Sequence, residues 1–189
     1  MQKTHVGNIV IVHTALWHEI LLLHKLPENE ADKLRKRKRV GINCWGLAGG
    51  ARKETDTSDR HGAKRETFEE TGLVFELDEF VKIGVLEGFR QKETLERIWL
   101  AHIYKVRATP EMMSQVKINH REHDQHHWFQ TRAPDEIPWG QMIESDKLWL
   151  PELLKDKRLT IQVVFDGDAE KVLDCNFQEA AFSENVLAH

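Results

Sequence analysis

The chain has 189 residues, 40% hydrophobic and 31% charged, with a formal net charge of −4. That length builds one domain with a sizeable core and needs neither disulfides nor a structural metal. The balance excludes a disordered or collagen-like chain and a strongly basic nucleic-acid coat. Cys44 and Cys175 stand apart in the sequence and read as ordinary buried thiols. The opening MQKTHVGNIV shows no leader pattern, and no apolar run approaches a membrane span. A cytoplasmic, reducing location is therefore expected, with no membrane and no nucleic acid as partners.

In chain order, the β-branched stretch 7–16 predicts a strand and 19–24 a second, joined by a turn. The basic segment 27–39 reads as a surface insertion. Its LRKRKR run is a solvated face or, alternatively, a phosphate-attracting rim. An apolar stretch, 42–50, ends in the pair Gly49-Gly50. A helix follows to Thr71, with Ser58 or Asp59 as the N-cap and Gly72 as a left-handed C-terminal cap. Strands are predicted at 81–88 and 98–106 around a charged hairpin loop. A Met- and His-bearing segment, 110–127, leads into 128–130, and a short helix surrounds 148–154, with Pro151 breaking it or starting a turn. A last hairpin joins 159–166 to 171–177. Strands dominate, in mixed order, so the class is α/β or α+β, with one domain over 1–189.

The chemistry concentrates in 49–73, GGARKETDTSDRHGAKRETFEETGL. On a helix, Glu66, Glu69 and Glu70 fall within an arc of roughly 100°. Three carboxylates on one face repel, and Arg65 offsets part of this through its i,i+4 contact with Glu69. Such an all-oxygen set suits Mg²⁺ or Mn²⁺, which in turn bind phosphate oxygens. The glycine pair allows close approach of backbone to a ligand.

R-E-x-x-E-E-x-G-L after a glycine-rich loop resembles the Nudix box, G-x5-E-x7-R-E-U-x-E-E-x-G-U, with U apolar. The matching residues are Gly50, Arg65, Glu66, Glu69, Glu70, Gly72 and Leu73. Three positions depart. Asp56 stands at the loop glutamate with one extra residue before Arg65, Thr67 replaces an apolar residue, and Ala51 stands where many nucleoside triphosphatases carry Lys, with Arg52 next to it.

The resemblance implies a Nudix fold: a three-layer α/β/α sandwich with a mixed sheet. It implies hydrolysis of a diphosphate linked to another moiety, with Glu66, Glu69, Glu70 and the Gly49 carbonyl holding Mg²⁺ (or Mn²⁺) and Arg65 orienting the carboxylates. The general base varies in the family between a box glutamate and a later acid, here Glu122 or Asp124. The tail 137–177 is similar to the animal MutT-homologue enzymes, which act on oxidised purine nucleoside triphosphates, through Ile137-Pro138, Met142, Asp146, Trp149, Pro151 and Leu173-Asp174. Of four base-reading positions in that subfamily, Asp146 alone is retained; Gly46, Ile143 and Ser145 differ.

The expected function is hydrolysis of a nucleoside triphosphate, with an oxidised purine as one candidate, to monophosphate and pyrophosphate. Alternatives are ADP-ribose, a nucleotide sugar or a dinucleoside polyphosphate as substrate, or a non-catalytic nucleotide-sensing Nudix domain. Catalytic candidates are Arg65, Glu69, Glu70 and Glu122. Substrate contacts are expected from Asp146, Trp45, Gly46 and Arg52, with Trp139 another aromatic that stacks on a base. The histidines at 120, 123, 126 and 127 fit no zinc spacing and read as solvated loop residues. The chain is expected as a monomer or homodimer.

Overall fold

The computed structural model describes residues 5–27 and 43–182. Beyond Pro27, the expected insertion at 27–39 lies outside the described residues. Strands β1 (His5–His13), β2 (Glu19–Lys25), β3 (Trp45–Gly46) and β4 (Ala48–Ala51) precede helix α1 (Asp59–Thr71). Strands β5 (Val81–Gln91) and β6 (Leu95–Arg107), the single-turn helix α2 (Pro110–Met113) and strand β7 (His123–Gln130) follow. Helix α3 (Glu144–Leu153) then leads to the hairpin β8 (Leu159–Phe165) and β9 (Val172–Glu179).

All these strands join one mixed sheet along the path β3-β2-β1-β6-β5-β8-β9. The β1–β6 and β5–β8 pairs are parallel and the others antiparallel. β1 and β2 touch only at His13↔Ile20 and then diverge. β4 fills the gap along Gly7–Val10, and β3 along Leu23–His24. β7 runs down the other edge of β2.

Strand side chains alternate between faces, and here both faces are covered. Val10, Val12, Leu21 and Leu23 pack on the α1 side with Phe75, Phe80 and Tyr104. Ile11, Ile20, Leu22, Ile103 and Ile161 pack on the α3 side with Trp149, Leu150 and Leu153. Two buried faces make the layered α/β/α fold with its mixed sheet, as the sequence implied. Among the described residues, no helix is long and apolar enough to cross a membrane.

Several boundaries differ from the sequence reading. β1 stops at His13 because Leu16 and Trp17 take positive φ (54° and 56°), and the Thr14 hydroxyl accepts the Glu19 N–H across the turn. The β5–β6 ladder continues to Gln91↔Leu95, so the charged loop is shorter than its composition suggested. β7 starts at His123, not Trp128. α3 starts at Glu144, and Pro151 sits inside its last turn, where it withholds the N–H that the Lys147 carbonyl would otherwise accept. Cys44 and Cys175 are half-buried rather than core thiols.

Candidate active site

Helix α1 is an unusual packing element. Its mean composition is polar, and its buried positions are Gly62, Ala63, Glu66, Thr67, Glu70 and Thr71. Small residues bring its backbone close to β1 and β4, and the carboxylates enter with it. Thr67, at the position expected to be apolar, is fully buried and satisfies its hydroxyl by donating to the Ala63 carbonyl at 2.8 Å. Ser58 caps the N-terminus, its Oγ accepting from His61 N, and Gly72 ends the helix at φ 69°.

The paired glycines are a steric requirement of the site. A Cβ on Gly49 would lie 2.2 Å from the Asn8 carbonyl oxygen, and one on Gly50 would lie 2.7 Å from the Glu66 carboxyl carbon. Gly49 also donates its N–H to Glu70 Oε2 at 2.8 Å. The glycine strand and the helix carboxylates are thus pressed together.

Arg65 organises the group. Its Nε and Nη2 donate to the two Asp56 oxygens at 2.9 Å each, and Nη1 donates to Glu66 Oε1 at 2.6 Å and Glu69 Oε2 at 2.9 Å. Bidentate pairing of this kind fixes the guanidinium plane. Asp56 therefore anchors the arginine despite its shorter side chain and the extra loop residue. The Arg65 hydrogen bonds hold the Asp56 carboxyl down at about 2. Burial pushes Glu66 up, with Glu70 and Glu69 adding repulsion against the pull of Arg65. For Glu69, slight burial is outweighed by Lys53 and Arg65, and its carboxyl is held down.

The loop cation over these carboxylates is Lys53, a residue the sequence reading passed over. Its Nζ meets Glu69 Oε1 at 2.9 Å and Oε2 at 3.1 Å. Arg52 is instead held by Asp59 (3.0 Å) and the Asp56 carbonyl (3.3 Å), at the start of α1. Of the two later acids, Asp124 pairs with His24 Nδ1 at 2.7 Å. Glu122 lies with Glu70 and His123, their ligand atoms all within 4.8 Å of one another. His123 is fully buried, which corrects the reading of a wholly solvated histidine loop; His120, His126 and His127 are exposed.

Beside the carboxylates opens a cleft of about 520 Å³, within the range typical of small-ligand sites. Its lining includes Gly46, Gly49, Gly50, Ile98, Trp99 and Phe165, with Lys25, Ser145 and Asp146 among its polar groups. Burial pushes the Asp146 carboxyl up to about 6, against the Lys25 charge, the Ser145 hydroxyl and the nearby Trp149 indole, whose N–H lies outside good hydrogen-bond geometry. Trp45 is not on this wall. Its ring meets Phe129 edge-on at 5.2 Å and His24 at 5.2 Å. Trp139 packs against the α3-side core.

This geometry fits divalent cations by its donor chemistry: Glu66 and Glu70 abut the glycine strand, Glu69 on the same helix is held by Arg65 and Lys53, and the donor atoms that come together among the described residues are those of Glu70, Glu122 and His123. The fold and the site define a Nudix hydrolase. The NUDIX domain profile matches residues 9–151, and the chain belongs to that family. It is 28% identical over 145 residues to the mouse oxidized purine nucleoside triphosphate hydrolase, spanning 76% of this chain and 83% of that one. Among solved structures, a MutT protein from Bacillus halodurans superposes with a TM-score of 0.62 at 18% identity, over 92% of this chain and 97% of that one. The NUDIX domain of Shewanella oneidensis NrtR, solved with ADP ribose, gives 0.58 at 15% identity, over 82% and 89%.

Proposed function

We propose that this Nudix hydrolase cleaves purine nucleoside triphosphates, oxidised purines included, to monophosphate and pyrophosphate. The observation that carries the reading is the cleft itself. Its lining includes Gly49 and Gly50, which abut the helix carboxylates, together with Asp146, Ser145 and the apolar Trp99 and Phe165. In this reading the phosphate chain lies at the glycines and the base among the other lining residues. A carboxyl with its pKa at about 6 is partly protonated near neutral pH and both donates to and accepts from a base edge. The mouse relative's activity supports the same substrate class.

In this reading Glu66, Glu69, Glu70 and the Gly49 carbonyl would hold Mg²⁺ or Mn²⁺, which would supply charge neutralisation at the phosphate oxygens and a more acidic bound water. Arg65 holds the carboxylates in register. Glu69 and Glu122, the solvent-facing acids, are the candidates to take the proton from the attacking water. Water adds to one phosphorus of the anhydride, and the bridging oxygen leaves with the departing group.

The test is a Mg²⁺-dependent panel of ordinary and oxidised purine triphosphates, ADP-ribose, nucleotide sugars and dinucleoside polyphosphates, read as phosphate and pyrophosphate release. Pyrophosphate from a purine triphosphate is expected. For Asp146→Asn, the ratio of kcat/KM between oxidised and ordinary purine should change at least tenfold, about 1.4 kcal/mol of discrimination. Preferred turnover of ADP-ribose would overturn the substrate, and nucleotide binding without turnover of any compound would replace the enzyme reading with a sensing one.

A further inference from the structure

We infer that His123 is a metal ligand, completing with Glu70 and Glu122 a mixed imidazole–carboxylate site that favours Mn²⁺, Co²⁺ or Zn²⁺ over Mg²⁺ relative to an all-oxygen set. The inference deepens the hydrolase reading, since Glu70 belongs to that reading's carboxylate group.

The local fold shows why these three residues meet. The segment after α2 docks on the C-terminal end of α1. Lys117 N donates to the Thr71 carbonyl at 2.8 Å and Asn119 N to the Glu70 carbonyl at 3.2 Å. The Asn119 carbonyl then accepts from both Glu122 N and His123 N at 2.9 Å, closing a tight turn directly above Glu70. Leu26 N donates to the Glu122 carbonyl at 2.9 Å, and β7 pairs with β2 from His123↔Lys25 onward. The backbone of the turn is therefore held from three sides.

Two independent observations point to a ligand there. The first is the cluster, with one donor atom from each of Glu70, Glu122 and His123 within 4.8 Å of the others. The second is the imidazole. His123 has no exposed surface, and neither ring nitrogen has a hydrogen-bond partner. Its Nε2 lies 3.3 Å from Glu70 Oε1 without hydrogen-bond alignment. A fully buried imidazole aimed at a carboxylate but not bonded to it leaves costly unmet polar atoms. A cation between the three groups satisfies Nε2, Glu70 and Glu122 together. Glu70 Oε2 is fixed by Gly49 N, so Oε1 is the oxygen left to face the ion.

Ligand type sets the preference. Carboxylates alone suit Mg²⁺, whereas imidazole suits later first-row ions, whose affinity rises along the Irving–Williams order. Replacing one oxygen donor by nitrogen shifts the ratio of affinities without touching the rest of the box.

The experiment uses the full chain loaded with Mn²⁺ and read by three-pulse electron spin-echo modulation, which detects nitrogen bound to manganese. Wild type should show imidazole-nitrogen modulation. His123→Gln should lose it, while the exposed His126→Gln should keep it. Because His123 is buried and its variant could unfold, the wild-type spectrum is itself decisive, and Glu122→Gln gives a second arm on an exposed side chain. That variant should weaken Mn²⁺ binding about tenfold by titration calorimetry, in line with losses seen for perturbed metal sites. His123→Glu, where folded, should move the Mn²⁺-to-Mg²⁺ affinity ratio toward Mg²⁺. Bound Mn²⁺ with no nitrogen modulation in wild type would overturn the inference and leave the hydrolase reading standing. Nitrogen modulation with no nucleotide turnover would keep the ligand and discard that reading.

Discussion

Arg65 spends its donors on Asp56, Glu66, Glu69 and the Ala51 carbonyl, so a single side chain ties the loop, the helix and the glycine strand together. The folded-state carboxyl of Asp56 lies at about 2 against an ordinary value of 3.8, so the unfolded chain takes up the proton first on acidification. The stability contributed by this pair is complete above about pH 4 and drains as pH falls toward 2. Asp56→Asn should flatten the pH dependence of the unfolding midpoint across that window. At neutral pH it should cost about 3 kcal/mol by urea titration, since it strips a partner from a half-buried guanidinium. Glu69→Gln tests chemistry rather than stability. Its side chain is 41% exposed, so the fold should survive. Its kcat should fall by about a hundredfold or more, equivalent to about 2.7 kcal/mol of lost transition-state stabilisation. Unchanged turnover would remove Glu69 from the catalytic group.

At the scale of elements, α1 places the carboxylates and does little else. It offers no apolar stripe, and its hold on the sheet comes from close backbone approach and from its caps. Ser58→Ala removes the acceptor for His61 N and should lower stability by about 1 kcal/mol, measured as a fall in Tm. The effect on kcat should be small, because the carboxylates sit in the later turns. The glycine strand behaves in the opposite way. Gly50→Ala places a methyl 2.7 Å from the Glu66 carboxyl, so it should cut turnover at least tenfold while moving Tm little, as the Glu66 end of the side chain swings aside. A variant with intact Tm and intact turnover would show that Glu66 need not face the glycines.

At the scale of the molecule, the two cores serve different parts of the site. The α1-side core supports the carboxylates, and the α3-side core supports Asp146. Trp149 is fully buried in the latter and shares α3 with Asp146. Trp149→Ala should cost about 3–5 kcal/mol in denaturant unfolding, the range for large-to-small aromatic truncations. It should also raise KM more than it lowers kcat, because the helix bearing Asp146 loosens while the box stays put. The parallel β1–β6 pair and the antiparallel β4 carry the glycines that line the cleft, and the β8–β9 hairpin brings Phe165 into the same lining.

The sequence by itself determined the box. Arg65, Glu66, Glu69 and Glu70 are local in the chain, so helix periodicity places them together and Gly72 ends the helix without tertiary information. It also placed most of the strands along the chain, because alternation and β-branching are local signals, while the layered α/β fold was implied by the resemblance of the box. Tertiary structure decided which distant groups join that face. Glu122 and Asp124 differ by two positions, yet one meets Glu70 and the other His24, because the turn at Asn119 docks on the end of α1. His123 looked like its three solvated neighbours and is the buried one, because the Asn119 turn docks it against Glu70 at the end of α1. Lys53 rather than Arg52, and Trp99 rather than Trp45, reach the site. Which side chain crosses a gap depends on where the backbone points after folding, and neither spacing nor residue type carries that direction.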